Sequence, residues 1–218
     1  MADGNNYSAF DPQTRGEEIA NATIHGIGAA LSIAALVLLL VFSAHKNDAW
    51  RMVSFSVYGA SLIILYMMSV LSHSFTGKIK RLFELFDFSA VYLLIAGTYT
   101  PLTLVFLRGP LGWTIFGIIW GLAILGILFR IFFLGKFNVA WTIVYILMGW
   151  IIVITLKPLL ASTPKEFIYW IFAGGMCYTV GTIFYLFTRM PYHHPVWHLF
   201  VIGGSACHFF GFLFYGTK

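Results

Sequence analysis

Long apolar segments recur along the whole chain, with little sequence between them. Seven segments are long enough to cross a bilayer as helices, which takes about 20 residues each. A membrane β-barrel would instead show short segments of alternating hydrophobicity, and this pattern is absent. The sequence therefore predicts an all-α integral membrane bundle of seven transmembrane helices. The predicted spans are residues 22–43, 52–72, 87–107, 111–133, 138–160, 167–187 and 196–215.

Composition supports a membrane domain and excludes an ordinary soluble one. Hydrophobic residues make up 60% of the 218 residues, and charged residues only 10%. No linker, low-complexity tract or internal repeat divides the chain, and the predicted loops are short. We therefore expect a single seven-helix domain over residues 1–218, in which residues 1–18 form a short polar amino-terminal tail.

The basic residues indicate how the bundle is oriented and which partners it has. Lysine and arginine divide almost evenly between the two predicted sides, but the densest cluster, "GKIKR", lies in the second loop. Cytoplasmic loops are enriched in these residues, so we expect the amino terminus in the cytoplasm and the carboxyl terminus outside. The net charge of +5 suits anionic lipid headgroups. Basic and aromatic residues are not interleaved as they are in nucleic-acid-binding proteins, so membrane lipids are the expected partners.

Polar and ionisable side chains at the ends of the spans are the candidate functional residues. Such groups are costly within a membrane and usually have a function there. Because successive spans run in opposite directions, the end of span two and the starts of spans one, three and seven share one membrane face. The candidates on that face are Glu18, Asn21, His25, Ser69, His73, Asp87, His194 and His198.

The spacing of these candidates indicates that they face one another. Ser69 and His73 are four residues apart, as are His194 and His198, so each pair shares one helix face. Glu18, Asn21 and His25 follow the same helical periodicity over two turns. Three helices therefore present polar stripes at the same depth.

Three histidines at one depth predict a metal site. His73, His194 and His198 would leave a fourth position open for water, an arrangement typical of catalytic zinc, which lowers the pKa of that water. Asp87 would lie within reach of the water, or of the second nitrogen of a ligand, and could take its proton. The alternative is that each histidine is an interfacial group bonded to loops and headgroups. Three histidines and an aspartate at one depth favour the metal site.

The remaining histidines receive other roles. His208 lies ten residues beyond His198, about 15 Å deeper by helical rise, so we expect it to be a buried, hydrogen-bonded side chain outside the site. His193 points away from its neighbour and is expected to contact a loop or headgroup. Pro195 disfavours a helical conformation at His194, which predicts that His194 lies at the cap position.

Small residues within the spans are expected to serve packing. Gly117, Gly121 and Gly126 in "FGIIWGLAILG", and the segment "GGSA" in the last span, are typical of sites where membrane helices approach closely. We assign them no catalytic role.

Four motifs together carry a family resemblance. "EEIANATIHGIG" in the first helix, "SVLSHS" ending the second, "LFDFSAVYLLIAGTYTP" in the third and "HPVWHLFVIGGSACHFF" in the seventh occur in order over residues 17 to 215. In this combination the chain resembles the hemolysin III branch of the progestin and adipoQ receptor family. The short tail lacks the long extension of the animal receptors, so hormone binding is not implied.

The resemblance implies roles for individual residues. In related adiponectin receptors, zinc is bound near the cytoplasmic face by histidines that correspond to His73, His194 and His198. The motif serine corresponds to Ser69, and the aspartate that contacts the zinc-bound water corresponds to Asp87. Glu18, Asn21 and His25 match the opening motif of the bacterial branch, and we expect them to support the site.

Two functions from different classes remain open. The first is a zinc-dependent intramembrane hydrolase of a lipid amide or ester, similar to ceramidases, with Asp87 and Ser69 as catalytic residues and a lipid amide or fatty acid bound in the bundle. The second is a non-enzymatic sensor or regulator of membrane state with a structural zinc. Pore formation, the cytolytic version suggested by the family's name, is disfavoured because no charged ring could line a channel. The bacterial branch implies the inner membrane.

Overall fold

The computed structural model describes residues 13–134 and 137–217, and within them it contains helices and no strand. Seven of these helices are long and apolar enough to cross a membrane, which confirms the predicted fold class. Their bounds are α1 Arg15–Ala44, α2 Ala49–Ser74, α3 Gly77–Phe106, α4 Pro110–Phe132, α5 Val139–Ser162, α6 Lys165–Leu186 and α7 His193–Gly216.

Helix α3 lies at the centre of the bundle. Of its most apolar stretch, 72% is buried inside the protein, against 50% or less in every other spanning helix. Tyr92, Ala96 and Tyr99 are among its fully or almost fully buried side chains. Most side chains along α3 are therefore surrounded by other helices.

Helix α1 begins earlier than the apolar pattern predicts, at Arg15 and not near residue 22. Thr14 caps it: the Thr14 hydroxyl accepts a hydrogen bond from the backbone of Glu17, whose carboxylate in turn accepts one from the backbone of Thr14. This reciprocal capping satisfies two backbone donors at the helix start. The end of the predicted polar tail is thus helical, which brings Glu18 into the first turn; residues 1–12 lie outside the described residues.

Helix α3 also begins earlier than predicted, at Gly77 and not at residue 87. Asp87 therefore does not open the helix but lies within it, more than two turns from its start. The first turns carry Lys78, Lys80 and Arg81. The predicted span left these turns out because it was drawn from apolar residues alone. A helix can nevertheless extend through the headgroup region, where charged side chains remain solvated.

Helix α7 begins at His193, so His194 lies within the first turn and the prediction of a cap position was wrong. Tyr192 is the cap residue, in a left-handed conformation with φ of 56°. Pro195 is accommodated because the first-turn backbone nitrogens of a helix have no partner within the helix. His194 and His198 thus project from one continuous helical face.

The glycines differ in what they pack against. A side chain at Gly126 would meet the ring of Tyr92, and one at Gly204 would meet the ring of Tyr178 within 3 Å. These glycines serve the predicted close packing. Gly117 and Gly121, by contrast, have no atom of a described residue, apart from their own neighbours along the helix, within 4 Å of the position that a Cβ atom would take, so the prediction is wrong for them.

Candidate metal centre

The end of α2 and the start of α7 bring three histidines together. His73, His194 and His198 are all buried, and each offers a ring nitrogen within 4.8 Å of the others. The rings of His194 and His198 have centroids 4.5 Å apart, and the His73 ring lies 5.2 Å from each of them. This group can hold a metal ion, as the spacing predicted.

The nitrogens face each other at a distance that suits a shared ion. Nε2 of His73 lies 3.2 Å from Nε2 of His198. Two imidazoles bound to a tetrahedral ion at about 2.0–2.1 Å have nitrogens about 3.3–3.4 Å apart. The pair therefore needs little movement to bind an ion between its two rings.

The other histidines lie outside this group. His25 packs its ring against His198 with centroids 3.6 Å apart, and neither of its nitrogens has a hydrogen-bond partner of regular geometry among the described residues. Nε2 of His208 lies 3.1 Å from the carbonyl oxygen of Ile171, which confirms the predicted buried and hydrogen-bonded role. Nδ1 of His193 lies 3.2 Å from the carbonyl oxygen of Phe184, at the end of α6.

Residues of α1 surround the far side of the His73 ring. Oε2 of Glu18 lies 2.7 Å from His73 Nδ1, and Nδ2 of Asn21 lies 3.4 Å from the same nitrogen. Nδ2 of Asn21 donates to Oε1 of Gln13, at 2.6 Å. The structure thus brings the opening motif of the sequence to the histidine group, on the side opposite the facing nitrogens.

Asp87 approaches the site from α3. Its Oδ2 lies 3.3 Å from the hydroxyl of Ser72, whose one proton is shared with the carbonyl oxygen of Ser69 at 2.9 Å. The Ser69 hydroxyl is fully buried and has no hydrogen-bond partner of regular geometry in the described part of the chain. Ser72 was not identified from the sequence, although it is only one turn from Ser69 and directly precedes His73.

Side chains from α4 and α5 hold the turn of α3 that carries Asp87. The guanidinium of Arg130 lies 3.8 Å from the centroid of the Phe88 ring, and the Tyr145 hydroxyl donates to the Phe88 carbonyl oxygen at 3.0 Å. Both contacts act on the residue next to Asp87. Arg130 is 1% exposed, so this is a charge buried in the bundle, which membrane proteins keep at functional sites.

An elongated cavity leads away from the histidine group. Asp87, His194 and His198 line one end, and Leu102 and His208 line the other. Asp87 and Leu102 lie on the same helix, so the cavity extends about 22 Å along α3 by helical rise. Its wall is mostly apolar, with Leu94, Ile95, Ile171 and Val201 among the lining residues. The sequence suggested a lipid bound in the bundle but not the residues that line this cavity, because the lining depends on how helices distant in the sequence pack together.

Comparisons place the chain among known proteins. A family model described as haemolysin-III related matches residues 13–209. Hemolysin-3 of Bacillus cereus is 52% identical over 200 residues, which cover 91% of each chain. The Hemolysin-3 homolog of Bacillus subtilis (strain 168) is 51% identical over 203 residues, covering 93% of this chain and 95% of the relative. The human monocyte to macrophage differentiation factor is 26% identical over 204 residues, covering 89% and 82%.

Proposed function

The chain belongs to the haemolysin-III related family of multi-pass membrane proteins, and from this membership and the geometry around its three histidines we propose that it is a zinc-dependent intramembrane hydrolase of a lipid amide or ester. The observation that carries the proposal is the joint position of Asp87, His194 and His198 at one end of an apolar cavity, with His73 grouped beside the two histidines. A metal site that opens onto such a cavity can meet the carbonyl of a lipid.

Zinc suits the donor set. Three neutral imidazoles with room for a fourth ligand are typical of catalytic zinc sites, and imidazole nitrogen is a common zinc ligand. When bound, zinc would supply Lewis-acid polarisation of a carbonyl and a more acidic water. His73, His194 and His198 would hold it.

Asp87 is the proposed general base. It lines the cavity but is not part of the group of metal-ligating atoms. It accepts a proton from the attacking water and returns it to the leaving nitrogen or oxygen as the C–N or C–O bond breaks. Ser72 donates to the Asp87 carboxylate, and Ser69, one turn away on α2, supplies a buried hydroxyl for the polar groups of the reaction.

The cavity is the proposed binding site for the acyl chain. Its apolar wall excludes water from the chain and leaves the carbonyl at the polar end, where Asp87 and the histidines lie. Binding sites of this kind combine an apolar lining with a few polar groups that orient the ligand. The expected products are a fatty acid and an amine or alcohol.

Release of fatty acid from defined lipids tests the hydrolase proposal. Purified protein in lipid nanodiscs is incubated with a panel of lipid amides and esters, with zinc bound and after chelation. We expect turnover of at least one class, lost on chelation and restored by zinc. Full zinc occupancy with no release from any lipid in the panel would contradict the proposal.

A second function is favoured by the origin of the ligands. His73 ends α2 while His194 and His198 begin α7, so a bound ion would join two helices that are far apart in the sequence. In that account the metal is structural and the protein senses or regulates membrane state. We propose the bacterial inner membrane for either function, with the amino terminus in the cytoplasm.

A further inference from the structure

Two adjacent glutamates at the start of α1 make different contacts. Glu17 accepts hydrogen bonds within the cap of its own helix, and its Oε1 accepts one from the backbone nitrogen of Tyr192, at 2.9 Å. Glu18 points to the histidine group. The two neighbours have the same chemistry, so the difference between them lies in their partners.

The Glu18 carboxylate connects two other helices. Its Oε2 lies 2.7 Å from Nδ1 of His73 on α2, and its Oε1 lies 2.5 Å from Nζ of Lys80 on α3. The side chain of His73 is 3% exposed, that of Lys80 14% and that of Glu18 23%. This partial burial reduces screening by salt, so both contacts are stronger than surface ion pairs.

The hydrogen bond determines which nitrogen of His73 can bind a metal. A neutral imidazole carries one proton, and the other nitrogen has the free lone pair. The Glu18 carboxylate can only accept a hydrogen bond, so it favours the proton on Nδ1. The lone pair then remains on Nε2, the nitrogen that faces His198. A carboxylate bonded to a metal-binding histidine also raises the basicity of the ligand.

We propose that Glu18 is a positioning residue of the metal centre, which holds His73 in the Nδ1–H tautomer while Lys80 fixes the orientation of the Glu18 carboxylate. This inference rests on the proposed metal site and deepens it. It gives a role to a lysine of the "GKIKR" cluster that the sequence pattern assigned only to membrane orientation. The consequence is that metal affinity depends on a residue that does not touch the ion.

Metal affinity in matched variants tests this role. Wild type, Glu18→Gln and Glu17→Gln are purified in nanodiscs, and zinc affinity is measured by competition with a chromophoric chelator. We expect Glu18→Gln to bind zinc about 10- to 100-fold more weakly. Glu17→Gln is the control: glutamine can still accept the hydrogen bonds of a capping box, so its affinity should stay within about twofold of wild type.

A second pair of variants tests the lysine. Lys80→Ala leaves the carboxylate in place but removes its counter-ion, and we expect a loss of roughly two- to fivefold in zinc affinity. Lys78→Ala is its control, since Lys78 is exposed and belongs to the same basic cluster. If Glu18→Gln does not fold, this pair still tests whether the contact between Glu18 and Lys80 affects zinc affinity.

Three results would overturn the inference. Wild-type zinc affinity in Glu18→Gln would do so, as would an equal loss in Glu17→Gln. The third is a drop in the thermal stability of metal-free Glu18→Gln with no change in zinc affinity, which would make the contact a structural ion pair. None of these requires turnover, so a failed hydrolase proposal leaves the inference testable. A wild-type protein that binds no zinc would contradict both.

Discussion

Asp87 distinguishes the two functions proposed for the metal centre. Its carboxylate borders the cavity and accepts a hydrogen bond from the Ser72 hydroxyl, yet it is not one of the metal-ligating groups. A structural ion would have no need of it. A hydrolase would need a base at this position.

We expect Asp87→Asn to lower hydrolysis by about 10²- to 10⁴-fold, because asparagine cannot accept the proton. Zinc content should remain that of wild type. Ser72→Ala should cost less, about tenfold, since it removes one hydrogen bond to the carboxylate. The check is turnover and metal content measured on the same preparations. Unchanged turnover in Asp87→Asn would contradict Asp87 as the general base.

Residues of the site could be predicted from spacing where they lie on one helix. Ser69 with His73, and His194 with His198, follow from four-residue spacing and from the depth of the span ends. Ser72, Lys80 and Arg130 could not be predicted in this way. Their roles depend on contacts between helices, and sequence periodicity carries no information about which residue of another helix they meet.

Helix packing within the bundle rests on a few close approaches. Gly126 of α4 lies against the ring of Tyr92, which is fully buried and packs against Tyr145 with ring centroids 4.5 Å apart. A ring held in this way cannot move aside. For Gly117, on the same helix, no described residue apart from its own neighbours along the helix lies within 4 Å of where a Cβ atom would be.

We expect Gly126→Ala to lower the free energy of unfolding by about 1–3 kcal/mol, the usual cost of overpacking a core. Gly117→Ala should be neutral or stabilising by up to about 1 kcal/mol, because alanine favours the helix. Thermal unfolding in the same detergent compares the two. Equal stability of both variants would mean that α4 and α3 do not pack as described.

The loops opposite the metal centre are joined by an ion pair. Asp48 caps α2, and its Oδ2 accepts a hydrogen bond from Arg108 at 2.6 Å. Burial raises the pKa of Asp48, but hydrogen bonds from Arg108 and from the backbone of Trp50 outweigh it and hold the pKa below the ordinary value of 3.8. The carboxylate therefore contributes stability above pH 3.8, and this contribution is lost as the pH falls through the lowered pKa.

Asp48→Asn keeps a good cap residue and removes the charge. Because the Arg108 side chain of the pair is half exposed, we expect a loss of about 0.2–1 kcal/mol at neutral pH, or about 1–3 °C in the midpoint of thermal unfolding. The difference between variant and wild type should shrink below about pH 4. A difference that stays constant with pH would show that the charge is not the cause.

Helix existence and order could be predicted from apolarity, but two helix starts could not. Both α1 and α3 extend beyond their apolar segments through charged turns, at Arg15 and Gly77. Those turns carry Glu18 and Lys80, so the missed boundaries coincide with the polar side of the candidate site. Apolarity indicates where the hydrocarbon region lies, whereas a helix can continue beyond it into the headgroup region, where charged side chains remain solvated.

The whole molecule combines a polar end with an apolar interior. The cavity begins at Asp87 and the histidines and continues between helices to His208. In the proposed function, such a shape would give a lipid one orientation, with its carbonyl at the polar end. In that proposal the cavity wall selects the ligand, and the histidines hold the metal that acts on its carbonyl.

Filling the cavity should separate ligand binding from metal binding. Val201 is 5% exposed and lines the cavity one turn beyond His198. We expect Val201→Phe to weaken binding of a fluorescent long-chain fatty acid by at least about tenfold while zinc content stays unchanged. Leu199→Phe is the control, because Leu199 is on the same helix but is 56% exposed. Equal fatty acid binding by both variants would place the acyl chain elsewhere.

Joint binding of one metal ion by His73, His194 and His198 underlies both proposed functions, and metal analysis of purified protein tests it most directly. We expect wild type to contain about one zinc per chain, and His73→Ala to contain almost none under the same conditions. His45→Ala, which alters an exposed histidine in the loop after α1, should retain the wild-type amount. Zinc absent from wild type, or equally present in His73→Ala, would contradict a shared site.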